Sequence, residues 1–180
     1  MEPQKVFNED IFTTRMWVAE LDFSEAYYQV MIESVYRIKK EQVTPRGRSN
    51  RNGWNSDPIL FENKDFSELR KKCITVFNHA LVQMGGEKIK YRFQAWANIL
   101  DQGGFNTMHV HPGSLLSGVF YLKAPDNSAP IMFRDPRPGV LLGSFRNGEV
   151  NSYVEKKLSP KRGMLVVFPS WLDHKVEIHE

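Results

Sequence analysis

The sequence predicts a mostly β fold, an antiparallel sandwich or jelly roll preceded by two helices. Three observations point there. Two stretches of the first half carry apolar residues at helical spacing, the pattern changes to period two from residue 89, and turn signals cut the second half into short runs of strand length.

Residues 11–21 open the chain with the β-branched and aromatic content of a strand. Asp22 and Glu25 form a capping-box pattern, and Ala26, Tyr27, Val30, Met31, Val35 and Ile38 follow at helical spacing. Asp65 with Glu68 is a second such box. Its helix has the stripe Leu69, Cys73, Phe77, Ala80, Leu81 and Met84, ending at Gly85-Gly86. From residue 89 to 100, Ile89, Tyr91, Phe93, Ala95, Ala97 and Ile99 alternate with polar or mixed residues, so this run reads as a strand with its apolar face under the helices. The other face carries Gln94, Trp96 and Asn98. Further strands are expected at 115–123, 130–134, 139–145, 150–158 and 163–168. Between them stand Pro112-Gly113, Pro125-Asp126-Asn127, Pro136 to Gly139, Asn147-Gly148 and Pro160 to Gly163. Short strands at this spacing suit a sandwich or a double-sheet jelly roll.

At 180 residues the chain is expected to form a single domain spanning 1–180 with a substantial core. A hydrophobic share of 41% and a charged share of 25% are those of a globular protein, and a net charge of +3 gives no argument for nucleic acid. The lone Cys73 excludes an intrachain disulfide and reads as a core filler, in keeping with a cytoplasmic location. No signal peptide is visible, and no apolar run approaches the ~20 residues needed to cross a bilayer.

Between the helices lies a basic, polar stretch containing Arg37, Lys39, Lys40, Arg46, Arg48 and Arg51, then Asn50, Asn52, Gly53, Trp54 and Asn55. One account is a solvated loop. The other is a lid that carries Trp54 as a substrate-binding residue.

The chemistry concentrates in two places. His109 and His111 are two residues apart, so in an extended strand both imidazoles leave the backbone on one face. His174 lies near the end of the chain, where a later strand could bring it across the barrel. Three converging imidazoles would suit iron, zinc, copper or nickel. His79 and His179 have no visible partners, and Trp96 and Trp171 read as packing.

The run from Asn98 through Gly103-Gly104-Phe105-Asn106-Thr107-Met108-His109-Val110-His111-Pro112 resembles the metal-binding stretch of the 2-oxoglutarate/Fe(II) oxygenases, relatives of prolyl hydroxylases and DNA-repair dealkylases. The later Pro160-x-x-Gly163-x-Leu165-Val166-Val167-Phe168, followed by His174-x-Val176, is similar to the prolyl-hydroxylase ending that positions the distal metal His. Ser117 to Leu122, Asp135-Pro136-Arg137 and Phe168 to Leu172 resemble a subfamily known mostly from bacterial and phage genomes.

The resemblance implies a double-stranded β-helix, or jelly roll, with two supporting N-terminal helices. It implies Fe(II) held by His109, His111 and His174, with 2-oxoglutarate and O₂ as co-reactants. Hydroxylation would proceed through an Fe(IV)-oxo species on an unidentified substrate: a protein side chain, a nucleobase or a small molecule. The cosubstrate would be held by Asn98, Tyr121 and Arg137; Asn98 stands eleven residues before His109, as the cosubstrate Asn does in the dealkylases.

The chain departs from the superfamily pattern in two places. His111 stands where the family usually has a carboxylate, so either three His bind the metal or water fills that position. The family's Arg or Lys stands about ten residues beyond the distal His, and this sequence runs six residues beyond His174, so either the chain is truncated relative to its family or Arg137, Arg134 or Lys175 serves instead. A cupin-like metal enzyme without 2-oxoglutarate and a non-catalytic jelly-roll binding module are the alternatives. The first lacks the Glu that a cupin places after its His-x-His.

Overall fold

A computed structural model describes residues 7, 9–42, 49–86, 89–139 and 154–179. Along the chain it places β1 (Trp17–Glu20), α1 (Glu25–Glu41), β2 (Asn50–Asn55), two short 3₁₀ turns (Leu60–Glu62 and Lys64–Phe66) and α2 (Ser67–Gln83). Then come β3 (Asn98–His109), β4 (Leu116–Phe120), β5 (Ile131–Arg134), β6 (Glu155–Leu158), β7 (Met164–Pro169) and β8 (His174–Val176). Among the described residues, all strand ladders are antiparallel. One sheet has the order β1-β7-β4 and the other the order β2-β3-β8-β5-β6. The predicted architecture is thus present: mostly β, two facing sheets, two helices in the first half.

β7 joins the two parts of the core because side chains alternate across a strand. Leu165 and Val167 face the helices and pack with Met31 and Val35 of α1 and Leu69, Cys73 and Phe77 of α2. Met164, Val166 and Phe168 face the opposite way and meet Ile131 and Phe133 of the second sheet. All six residues of β7 are buried. Where α2 crosses β4, Gly118 leaves room for a ring: a Cβ there would lie 2.9 Å from Phe77.

The helix caps differ from the expected boxes. Ser24, not Asp22, caps α1, accepting from the Tyr27 amide at 3.2 Å. Asp65 is drawn away by Arg37, whose guanidinium lies 2.6 Å from its carboxylate and holds the acid below its usual pKa. α2 has no side-chain N-cap of its own; instead the Tyr27 hydroxyl accepts from the Glu68 and Leu69 amides, each at 3.2 Å. The C-terminal stop is as expected, with Gly85 at φ 76°. Cys73 is a core filler, and burial pushes its thiol up to about 12.

Two strand boundaries need correction. The alternation over 89–100 is real, and Phe93, Ala95, Ala97 and Ile99 do pack under the helices. Its first part, however, has only an isolated bridge, Ala95 to Ile59, and the ladder runs over 98–109 instead. Within the polar stretch between the helices, residues 50–55 are neither loop nor lid: they form β2, paired to β3. Residues 43–48, with Arg46 and Arg48, and 140–153, with most of the expected 139–145 strand and the start of the 150–158 strand, lie outside the described residues.

Candidate metal centre

The second sheet brings the histidines together. His109 ends β3 and His174 begins β8, and the two are direct partners in the ladder. A bulge between Asn106 and His109 precedes them, which re-aims the end of β3. His111 lies just past the strand, its amide donating to the Ser170 carbonyl at 2.9 Å. Ser170 is itself fully buried, and its hydroxyl is 2.7 Å from that of Ser117.

The ring centroids of His109 and His174 are 4.2 Å apart, those of His109 and His111 5.0 Å, and those of His111 and His174 5.1 Å. One nitrogen from each ring falls within 4.8 Å of the others, within reach of one ion. The hydrogen bonds decide which nitrogens are available. His109 Nδ1 lies 2.8 Å from the Thr107 carbonyl, and His174 Nδ1 lies 2.8 Å from the Leu172 carbonyl. A carbonyl only accepts, so each Nδ1 must carry the proton and each Nε2 keeps its lone pair. Metal-bound histidines are oriented by second bonds of this kind.

His174 is 3% exposed, wedged against the rings of Phe168 and Phe133 at 4.7 and 6.1 Å. Burial pulls its pKa down to about 4, aided by the neighbouring His109 and His111 and opposed by the Leu172 bond. The ring is therefore neutral near pH 7 and able to donate to a cation. The donor set thus fits a divalent ion: three imidazoles, two with their tautomers fixed for ligation, in a partly apolar mouth.

The other expected site residues are scattered. Tyr121 points between the sheets, packed on the cluster of Ile131, Phe133 and Val166. Its hydroxyl is buried with no hydrogen-bond partner, and burial raises its pKa, so it stays a protonated donor. Asn98 is not brought to the histidines: it is exposed, and its side chain accepts from Asn55 Nδ2 at 2.6 Å. β2 advances from Asn50 to Asn55 between the partners of Asn106 and Asn98, which separates them by roughly 17 Å along the sheet. The offset of eleven residues is misleading because three extra residues of β3 are taken up in a bulge opposite Arg51–Gly53.

Trp54 is no lid residue either. It is 4% exposed in the helix-side core, with its indole N–H donating to the Gln42 carbonyl. Arg137 follows β5 and grips Asp135 through Nε at 3.0 Å and Nη2 at 2.6 Å, so its fork is already engaged at the rim. Lys175 lies 3.8 Å from Glu155 and 3.7 Å from Glu177.

Sequence reasoning misses Asn50 and Asn106. Both are buried on the inner face, and each has a polar atom without a partner. Asn106 stands inside the histidine motif, and Asn50 inside the basic, polar stretch whose composition suggests a solvated loop.

Comparison with known proteins adds a family match over part of the chain and a fold likeness over most of it. Residues 94–180 match the family described as "Putative 2OG-Fe(II) oxygenase". This segment carries all three histidines, and the family implies Fe(II) and 2-oxoglutarate as its cofactors. The fold is similar to that of a Pseudomonas putida prolyl-4-hydroxylase, with TM-score 0.63, 16% identity, and coverage of 92% of this chain and 86% of that one. It is also similar to a Trichoplax adhaerens prolyl hydroxylase in complex with a hypoxia inducible factor oxygen degradation domain peptide fragment. There the TM-score is 0.64 and the identity 13%, with 92% and 78% coverage. At such identities the likeness concerns the fold. No curated protein matches the chain. No helix among the described residues is long and apolar enough to cross a membrane.

Proposed function

We propose that His109, His111 and His174 together hold Fe(II), and that the protein hydroxylates its substrate at this mouth at the expense of 2-oxoglutarate and O₂. The observation that carries the ligand assignment is the pair of Nδ1–H bonds to Thr107 and Leu172, which leaves the Nε2 atoms of His109 and His174 as donors beside His111. Bound iron would supply the oxidative chemistry, with decarboxylation of 2-oxoglutarate to succinate.

The chain's own groups do the positioning. The Ser170 carbonyl and the Ser117–Ser170 hydroxyl pair fix the backbone that presents His111. Phe133 and Phe168 keep water from one side of His174. Tyr121 remains a cosubstrate residue in this reading, whereas Asn98, Arg137 and Trp54 do not.

Among the three substrate classes open from the sequence, a protein side chain is favoured by the rim. Val110, Leu115 and Trp171 are exposed apolar residues of the segments next to His111 and His174, and the Ser170 amide donates to the Leu115 carbonyl, which ties two of these segments together. A peptide could lay apolar side chains there. The test is oxygen consumption and succinate release by the Fe(II) protein with and without 2-oxoglutarate, followed by mass spectrometry of candidate peptides for a gain of one oxygen. Turnover without 2-oxoglutarate would favour the cupin-like alternative.

A further inference from the structure

The stretch just before β3 sends its two faces to different places. Phe93, Ala95 and Ala97 pack under the helices. Side chains alternate along an extended chain, so Trp96 leaves on the opposite face. It is half-buried, yet it joins neither hydrophobic cluster. Its ring lies instead beside His111, with centroids 5.8 Å apart and planes tilted by 53°. That separation is within the range of paired aromatic rings. The indole is firmly mounted. On one side the Leu60 amide donates to the Ala95 carbonyl at 3.0 Å, and on the other the Ser56 amide donates to the Ala97 carbonyl at 2.9 Å. The Ser56 hydroxyl in turn accepts from the Ala97 amide at 2.9 Å.

Such a wall has most to do at His111. His109 and His174 stand in paired strands, and the Thr107 and Leu172 carbonyls hold their rings. His111 lies past the end of β3, before the Pro112-Gly113 turn, where Gly113 takes φ 79°. The Ser170 carbonyl pins its backbone. A backbone bond leaves both torsions of an imidazole side chain undetermined, and freezing them when a ligand binds costs entropy. A rigid ring set against the imidazole removes part of that freedom beforehand. Groups outside a metal's own ligand set commonly orient its histidines in this way.

We propose that Trp96 is a positioning residue of the metal centre: its indole holds the His111 imidazole in the orientation that ligates the ion, and it acts through His111. This rests on the metal-centre reading above. It also gives a physical account of how a histidine serves at the place where the superfamily pattern has a carboxylate. A carboxylate offers two equivalent oxygens and tolerates rotation, whereas an imidazole ligates through one nitrogen along one direction. The third imidazole therefore depends on a fixed ring plane, and the Trp96 ring supplies one.

The experiment titrates the full chain with Co(II), whose visible absorption reports the number and geometry of its ligands, and follows thermal unfolding without metal. The variants are Trp96→Ala, Trp96→Leu and Trp96→Phe, the first also combined with His111→Ala. Trp96→Ala and Trp96→Leu should weaken Co(II) binding by about tenfold, the low end of the effect of losing a group that orients a ligand. Their absorption bands should move toward those of His111→Ala. Trp96→Phe keeps a ring, so its affinity should stay within about threefold of the unmutated protein, with the spectrum preserved. In the His111→Ala background, Trp96→Ala should change affinity by less than about twofold, because the residue it acts through is gone. A lower melting temperature with unchanged affinity and spectrum is a purely structural role and overturns the proposal. An equal loss of affinity with and without His111 overturns it too. Trp96→Leu keeps apolar bulk, so it decides the question if Trp96→Ala does not fold. No Co(II) binding by the unmutated protein, or full retention in His111→Ala, overturns the three-histidine reading as well.

Discussion

The two faces of β7 look onto two different interiors. Toward the helices the core is apolar and closed: Met31, Ala80, Phe66, Leu165 and Val167 are almost wholly buried, and Ser34, the buried hydroxyl among them, accepts from Arg37 and Asn63. Toward the second sheet, Val166 and Phe168 meet an interior that also holds His174, Asn106, Asn50 and the unpaired Tyr121 hydroxyl. The first interior follows the rules of stability. The second leaves polar atoms unpaired in the interior that also holds the histidines, and such local violations gather at functional sites.

The comparison breaks most sharply at the metal. His109→Ala or His174→Ala should abolish stoichiometric Fe(II) or Mn(II) binding, measured by metal analysis after desalting, since two remaining ligands hold a divalent ion weakly. On the helix side the effect should be on folding instead. Met31→Ala, at a site 0% exposed, should cost about 2–5 kcal/mol in denaturant unfolding while the folded variant still takes up metal.

Acid should separate the two interiors as well. The His174 pKa falls to about 4 in the folded state from 6.5 unfolded, so the native state binds fewer protons between these values. Its neutral ring contributes no penalty above pH 6.5, and metal-free stability should be lost as pH falls from there toward 4, by on the order of 3 kcal/mol. Unfolding curves of the protein and of His174→Phe would compare this; equal acid sensitivity would remove His174 as the cause. Two smaller effects sharpen the picture. His111→Asp should keep the metal bound, because a carboxylate is a good ligand at that place. Arg137→Ala should shift 2-oxoglutarate affinity by less than about threefold, since its fork serves Asp135.

Much of the site is legible in the amino-acid sequence, and the reason is chemical. His109, His111 and His174 are rare residue types in a spacing that strand geometry makes meaningful, and the core stripes of α1 and α2 follow from helical period. What sequence alone does not carry is pairing. The alternation over 89–97 reports which side chains face the helices, but it holds no information on where the ladder of hydrogen bonds begins. β2 is hidden because Asn50, Asn52, Gly53 and Asn55 have poor strand propensity, and only β3 beside them makes a strand. Asn50 and Asn106 likewise meet only through that register. The offset of Asn98 from His109 misleads because counting residues ignores the bulge that shortens β3.

The most direct test of the account is an anaerobic Fe(II) titration of the protein and of His174→Ala, with bound iron counted per chain. The account predicts one Fe(II) per chain in the first and none retained in the second, both samples being folded by circular dichroism. One tightly bound Fe(II) persisting in folded His174→Ala would contradict it.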